Sequence, residues 1–421
     1  MREIKKSICY LCILCLLIMS GCSNRKGSDD SKETTTGIMN YSLYKQSISQ
    51  SGVLTYYNSF LEFYDFKTNQ AVILCDKPNC MHNTSECNAF KDFIANVAFF
   101  YQDSLYYFSQ DSLNIMCLYK ADKNGMNERM IISDIPVASM NDVLLTKQGK
   151  LYFIASTNDI IEDEDGEVIE INQNGMSLVV VDLNKDTYTI PFTTHDIANG
   201  RFLSSLNCYD DEVYAIVTHY NMDITGYNVD QAIEEENEEE IGEENVENLK
   251  EPPKDLKMIE SVIRINSKDE SEIIWSKQYE SYRTDQGCEL LTVSKNELYF
   301  YNYKKGISSI NVTTGEEKTV LKTDEKSVKC IDNEFILYDN SGSDTHTFKF
   351  YTLDGKECGS GEFDAPRIAK IDGSLADRYV FLLKNNENPW LDKMGWCYKD
   401  DLKKGKTELH KMNFVDNETT E

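Results

Sequence analysis

A polar turn followed by an apolar strand returns seven times along this chain. It reads QSGVLTYY from Gln50, QDSLYYF from Gln102, QGKLYFI from Gln148, DDEVYAI from Asp210, KNELYFY from Lys295, DNEFILY from Asp332 and ADRYVFL from Ala376. Repetition of this kind constrains the fold strongly. Each copy is one small sheet unit that cannot hide its apolar faces alone, whereas stacked copies can. The equivalent positions are Val53, Leu105, Leu151, Val213, Leu298, Phe335 and Tyr379, with gaps of 52, 46, 62, 85, 37 and 44 residues. One four-stranded unit takes about 40–50 residues, so the longer gaps must hold insertions.

A second strand follows each copy and ends in a polar turn: LEFYDFKTNQ, CLYKADKNG, LVVVDLNKDT, VIRINSKDES, ISSINVTTGE, FKFYTLDGKE and WCYKDDLKKGK. Asp and Asn near these turns tolerate left-handed backbone, as tight hairpins require. A further apolar run often comes next (AVILC, RMIIS, YTIPF, EIIWS, KTVLK). Another precedes the signature (NVAFFY, DVLLTK, CELLTV, SVKCI). With 25 Tyr and 18 Phe against 7 Pro, the composition suits strands.

This pattern resembles the TolB-like and low-density-lipoprotein-receptor-like propeller repeats found in surface lipoproteins of Gram-positive gut anaerobes. The likeness covers nearly all of residues 40–415. It implies an all-β β-propeller of seven blades, each of four antiparallel strands, with six or eight blades as the alternatives. A pair of β-sandwiches or a solenoid is the competing architecture. Receptor propellers carry a Y-W-T-D motif that this chain lacks, so their ligand specificity does not carry over.

The chain opens with Arg2, Lys5 and Lys6, followed by an apolar run from Ile8 to Met19. That run is short of the roughly 20 residues a bilayer span needs, and the layout is that of a secretion signal. Met19-Ser20-Gly21-Cys22 resembles the bacterial lipobox, which implies cleavage before Cys22 and a diacylglyceryl thioether on its sulfur. The expected organisation is a signal peptide at 1–21, a disordered tether at 22–39, the propeller at 40–415 with an acidic insertion at 228–257, and a polar tail at 416–421. The expected location is the outer face of the cytoplasmic membrane. A formal charge of −28 argues against binding nucleic acid, which needs concentrated Lys and Arg.

Two insertions stand out. Ten glutamates fall between Glu234 and Glu251, where mutual repulsion favours a solvated surface loop; a cation sponge or docking tail is the functional alternative. Asn158 to Gly175 contains Asp163, Asp165 and Gly166. The twelfth position from Asp163 is Asn174, where a calcium loop places Glu, so a hairpin turning at Asp165-Gly166 is expected and calcium is not. DNSGSD, Asp339 to Asp344, is a weaker hint of the same sort.

CDKPNCMHNTSEC packs Cys75, Cys80, His82 and Cys87 into thirteen residues. Three readings compete. Three thiolates and an imidazole would complete a structural zinc site. In an exported chain, two of the cysteines could instead pair as a disulfide. Or the cysteines are simply small and buried. Four protein ligands would leave no open position, so a metal here would staple a loop and not catalyse. The remaining mature cysteines, Cys117, Cys208, Cys288, Cys330, Cys358 and Cys397, sit singly in strand patterns and read as buried small residues.

No nucleophile elbow, zincin motif or phosphate loop occurs, and His195, His219, His346 and His410 read as structural. The leading expectation is therefore a non-catalytic, membrane-anchored propeller that binds an envelope protein or glycan. The alternatives are an envelope glycan lyase or hydrolase on the same scaffold, and a structural accessory of an envelope complex. Trp390 and Trp396, in NNENPWLDKMGW, are candidate ligand-stacking residues, with core packing of the last blade as the other reading.

Overall fold

The computed structural model describes residues 36–414 apart from 39–46, 50, 58, 93, 95–97, 111–115, 163–167, 198, 225–251, 283–286, 324, 326, 339–344, 366–367, 375–376 and 384–392. A short strand, β1 (Thr36–Ile38), comes first. Blade 1 holds β2 (Ser47–Ser49), β3 (Gly52–Tyr57), β4 (Phe60–Asp65) and β5 (Gln70–Ile73). Blade 2 holds β6 (Ala98–Tyr101), β7 (Ser104–Gln110), β8 (Met116–Asp122) and β9 (Arg129–Ile135). Blade 3 holds β10 (Val137–Leu145), β11 (Lys150–Glu162), β12 (Val168–Asp182) and β13 (Thr187–Thr193). Blade 4 holds β14 (Gly200–Tyr209), β15 (Glu212–Tyr220), β16 (Met258–Ile265) and β17 (Ser271–Gln278). Blade 5 holds β18 (Glu289–Ser294), β19 (Glu297–Asn302), β20 (Gly306–Asn311) and β21 (Glu317–Leu321). Blade 6 holds β22 (Ser327–Ile331), β23 (Glu334–Tyr338), β24 (Thr345–Thr352) and β25 (Glu357–Asp364). Blade 7 holds β26 (Ile368–Ser374), β27 (Arg378–Leu383), β28 (Lys393–Tyr398) and β29 (His410–Met412). Each blade is an antiparallel meander in chain order. The protein is thus a seven-bladed, all-β propeller.

The signature strand is the second of its blade in all seven cases, and its seven equivalent positions are each at most 1% exposed. Both faces of a second strand lie against neighbouring blades, so its apolar run is continuous, as in β19 and β27. The fourth strand is the outer edge, and β17 and β21 are largely exposed there.

Seven hydrophobic seams close the ring, one between each pair of adjacent blades. Six of them carry an aromatic pair across the seam. Ring centroids lie 5.8 Å apart for Phe63–Phe100, 5.5 Å for Phe108–Phe153 and 4.8 Å for Trp275–Phe300. They lie 5.7 Å apart for Tyr299–Phe335, 4.9 Å for Phe363–Phe381 and 5.9 Å for Phe66–Trp396. The seam between blades 3 and 4 is aliphatic, built from Ile154, Leu178, Val217, Ile263 and their neighbours. At the closing seam, Val53, Tyr64 and Phe66 of blade 1 meet Val380, Leu382, Met394 and Trp396 of blade 7.

The turns behave as their sequences imply. Asp210-Asp211 and Asp332-Asn333 join first to second strands with φ of 54° and 66°, and 53° and 60°. These are the paired left-handed residues of a two-residue hairpin. The strands flanking 163–167 pair from Asn158↔Gln173 to Glu162↔Val168, which is the expected long hairpin. Its tip, 163–167, and the segment 339–344 lie outside the described residues.

Three local expectations change. Thr36–Ile38, at the end of the expected tether, forms β1 between β10 and β2. Innermost strands present unpaired ladder groups to the ring's axis, and β1 supplies partners for two of them. The WCYKDDLKKGK segment leaves its strand for a one-turn helix, α1 (Lys399–Leu402). This helix sits on β25, where a Cβ on Gly361 would fall 1.6 Å from the Leu402 carbonyl oxygen. Cys358, expected to be buried, is exposed because it lies on that outer strand. Among the described residues no helix is long and apolar enough to cross a membrane.

Candidate metal centre

In such a blade, connections from second to third strands leave from one end. The links from each blade to the next leave from the same end. The first-to-second and third-to-fourth turns leave from the other. The CDKPNCMHNTSEC loop, the 158–175 hairpin, the glutamate-rich insertion, DNSGSD and the Trp390 loop all arise at strand ends of the first kind. Sequence alone did not place them together; the topology does.

The glutamate-rich insertion itself lies outside the described residues, but its base is pinned. Tyr220, Ile224, Leu256, Met258 and Tyr279 form one buried cluster beneath it. Asn221 ties the two feet, donating through Nδ2 to the Asp255 carbonyl at 3.0 Å and accepting from the Lys257 amide at 2.7 Å.

Cys75 lies two residues past the end of β5. Pro78 and Asn79 then make a tight turn, with Asn79 at φ 61° and the Cys80 amide donating to the Lys77 carbonyl at 3.2 Å. Pro with fixed φ followed by a left-handed Asn is the composition such a turn requires. Met81 is 80% exposed while Cys80 and His82 turn inward. Two ligands separated by one residue therefore share a side, with His82 in left-handed backbone at φ 53°. A second turn, Cys87 amide to Thr84 carbonyl at 3.1 Å, brings back Cys87. The three sulfurs and one imidazole nitrogen all lie within 4.8 Å of one another, and His82 Nδ1 is 3.4 Å from Cys87 Sγ.

Backbone amides reach two of the three sulfurs. Lys77 and Asn88 amides point at Cys75, whose thiol is held below its ordinary value; burial opposes this, while the amides and neighbouring thiols favour the thiolate. Cys87 is more enclosed, and burial pushes its thiol up to about 11. The loop is locked to blade 2. Asp76 accepts from Asn88 Nδ2 at 2.9 Å and also from Asn124 Nδ2. Gly125, at φ +77°, leaves room for the Asn88 carbonyl, which a Cβ would meet at 2.6 Å. Cys87, with Cys75 and Cys80 at its edge, belongs to the hydrophobic seam between blades 1 and 2.

The other candidates fare differently. Trp396 is 2% exposed, stacked on His410 at 4.2 Å with the Arg378 guanidinium 4.6 Å from its ring centroid. It takes the core reading and offers no face for a sugar. Trp390 and Cys22 lie outside the described residues. His219 Nε2 is 3.2 Å from Ser261 Oγ, His346 is buried beside Phe363, and His195 lies in the short turn after β13.

Sequence reading missed one buried cluster. Glu260, 4% exposed, accepts from the Tyr279 hydroxyl and from the Cys288 amide at 3.1 Å, with Cys288 Sγ 3.4 Å from that hydroxyl. The signal was a lone acid in the otherwise apolar MIESVIRI. Burial raises its carboxyl pKa, and the Tyr279 and Cys288 donors and Lys277 only partly offset this. Between the two values the folded state holds a proton that the unfolded chain has released, so this group's contribution to stability is fully present below the ordinary glutamate value of about 4.3. It falls as pH rises from there through the raised folded value. Glu260→Gln should flatten that segment of the stability–pH curve, as read by urea unfolding at stepped pH.

No family model matches this chain, and no match is found among curated proteins. Among solved structures it is similar to an oligogalacturonate lyase in complex with manganese, at 10% identity and TM-score 0.45, covering 70% of this chain and 71% of that one. It is also similar to a Mycobacterium tuberculosis puromycin-hydrolyzing peptidase, at 7% identity and TM-score 0.49, covering 88% of this chain and 53% of that one. A third is TolB from Acinetobacter baumannii, at 10% identity and TM-score 0.35, covering 84% and 76%. The chain spans about half the length of the peptidase. At these scores no neighbour lends its activity, and the propeller stands on its own sheet order and seams.

Proposed function

We propose that this chain is an exported propeller, anchored to the outer face of the cytoplasmic membrane by lipid on Cys22. It acts as a non-catalytic module that holds an envelope glycan or protein at the loop end of its ring. The observation supporting this reading is the gathering of the five insertions named above at one end of the blades, while the turns at the other end are short apart from the 399–409 connection that carries α1. A rigid ring with its variable connections on one side is a platform for recognition. The lipid chains would hold the protein by burying methylenes, each contributing about 0.8 kcal/mol.

The test has two arms. The full chain should fractionate with membranes, and Cys22→Ser should move it to the soluble fraction; unchanged membrane partitioning would refute the anchor. Purified chain incubated with isolated envelope glycans should retain them and release no soluble product. Product release would replace the binding reading with that of a glycan-active enzyme.

A further inference from the structure

We propose that Cys75, Cys80, His82 and Cys87 bind one zinc(II) ion in a closed four-ligand site that locks the seam between blades 1 and 2. In a tetrahedral zinc–thiolate site, bonds of about 2.3 Å put ligand atoms about 3.8 Å apart. The four atoms here already lie within 4.8 Å of one another, so closure on the ion needs a contraction under about 1 Å. Three soft sulfurs and one imidazole are a structural zinc set.

The disulfide reading explains less. A bond between any two of the cysteines would leave the third thiol and the imidazole converging on the same point for no reason. His82 takes φ 53°, an uncommon backbone for a non-glycine residue, and its Nδ1 comes within 3.4 Å of Cys87 Sγ. Amides aimed at the sulfur of Cys75, from Lys77 and Asn88, and of Cys87, from Ala89, are donors that stabilise thiolate charge in a metal site. The position suits a staple. The loop leaves the exposed outer strand of blade 1 with few backbone ladder partners of its own. Beyond the site it is held to blade 2 by Asp76, which binds both Asn88 and Asn124. The ion fixes the loop's four turning points to one another; the Asp76 contacts pass that order to the neighbouring blade. Binding displaces thiol protons, so affinity falls as pH drops.

The test uses the full chain purified in detergent without chelator. Elemental analysis should find about one zinc per chain, as one four-ligand site requires. Cys75, Cys80 and Cys87 should resist alkylation until a chelator is added. Chelation should lower the melting midpoint by about 5 °C or more, reversed by added zinc. Cobalt(II) in place of zinc should give intense visible bands of a tetrahedral thiolate site. His82→Asn keeps a residue that tolerates left-handed backbone but removes the imidazole; zinc affinity should fall at least about tenfold with the fold retained. Cys80→Ser should abolish stoichiometric zinc; if it fails to fold, His82→Asn still leaves the question answerable. A metal-free chain whose three thiols remain alkylatable after incubation with zinc overturns the proposal. So does a disulfide between any two of the three cysteines in a non-reduced peptide map.

Discussion

Trp396→Ala is expected to lower the unfolding free energy by about 3–5 kcal/mol, the cost of emptying a buried tryptophan site. Among the described residues no strand is exchanged between the first and last blades: β2 to β5 come wholly from the beginning of the ring and β26 to β29 from its end. Closure therefore rests on side chains. Trp396 meets Phe66 edge-on, stacks on His410 and lies under the Arg378 guanidinium, which also covers Phe66 at 4.9 Å and Tyr398 at 5.2 Å. Truncation removes the Phe66, His410 and Arg378 contacts of the indole together and leaves a cavity at the one seam that chain connectivity does not hold. Phe202→Ala, on a ring that is 48% exposed, should change stability by less than about 0.5 kcal/mol. Chemical denaturation of the three proteins checks both values. A Trp396→Ala change as small as that of Phe202→Ala would mean the seam does not carry the closure.

Phe381→Ala should cost a similar amount, about 3–5 kcal/mol, at the seam between blades 6 and 7. Phe381 is fully buried, and its ring centroid lies 4.9 Å from that of Phe363, 5.7 Å from Phe348 and 6.5 Å from Tyr379. Edge-to-face pairs add about 0.5–1.5 kcal/mol each beyond the area they bury, so the loss includes directional contacts as well as volume. Phe381→Leu refills most of the space but still loses the ring pairs, so it should cost clearly less than Phe381→Ala without being neutral. Equal losses from Leu and Ala would show that ring geometry, and not volume, dominates there. A negligible loss from Ala would contradict the packing itself.

How far the sequence discloses this structure depends on where each strand sits in its blade. Second strands such as KNELYFY and DNEFILY are legible because both faces are buried, which leaves a continuous apolar run after each polar turn. Third strands are nearly as clear. First strands are harder. Of the seven, SIS, GRFLSSLNCY and IAKIDGS gave no pattern. In β14 and β26, register shifts between Gly200 and Phe202, Ser204 and Asn207, Ile368 and Lys370, and Ile371 and Gly373 break the alternation. The outer strands ECGSGEFD and HKM were missed for the opposite reason. They are an exposed edge or very short, so little apolar residue is needed, and Gly361 is there for the helix that lies on it.

The candidate centre was legible as a set of ligands and not as a geometry. CDKPNCMHNTSEC names the four residues and, through Pro78-Asn79, the first turn. Their convergence depends on His82 taking left-handed backbone and on contacts to Asn124 and Gly125, which belong to the next blade. Neither can be read locally. The same holds for Glu260, whose partners Tyr279 and Cys288 reach it only after β16 and β17 have paired and the chain has turned toward β18.

The most direct test of ring closure is a double-mutant cycle between Phe66→Ala and Trp396→Ala, residues at opposite ends of the propeller sequence whose rings lie 5.9 Å apart. A closed seven-bladed ring predicts a coupling of about 0.5–1.5 kcal/mol between them. Losses that simply add, to within about 0.3–0.5 kcal/mol, would mean that blades 1 and 7 do not meet.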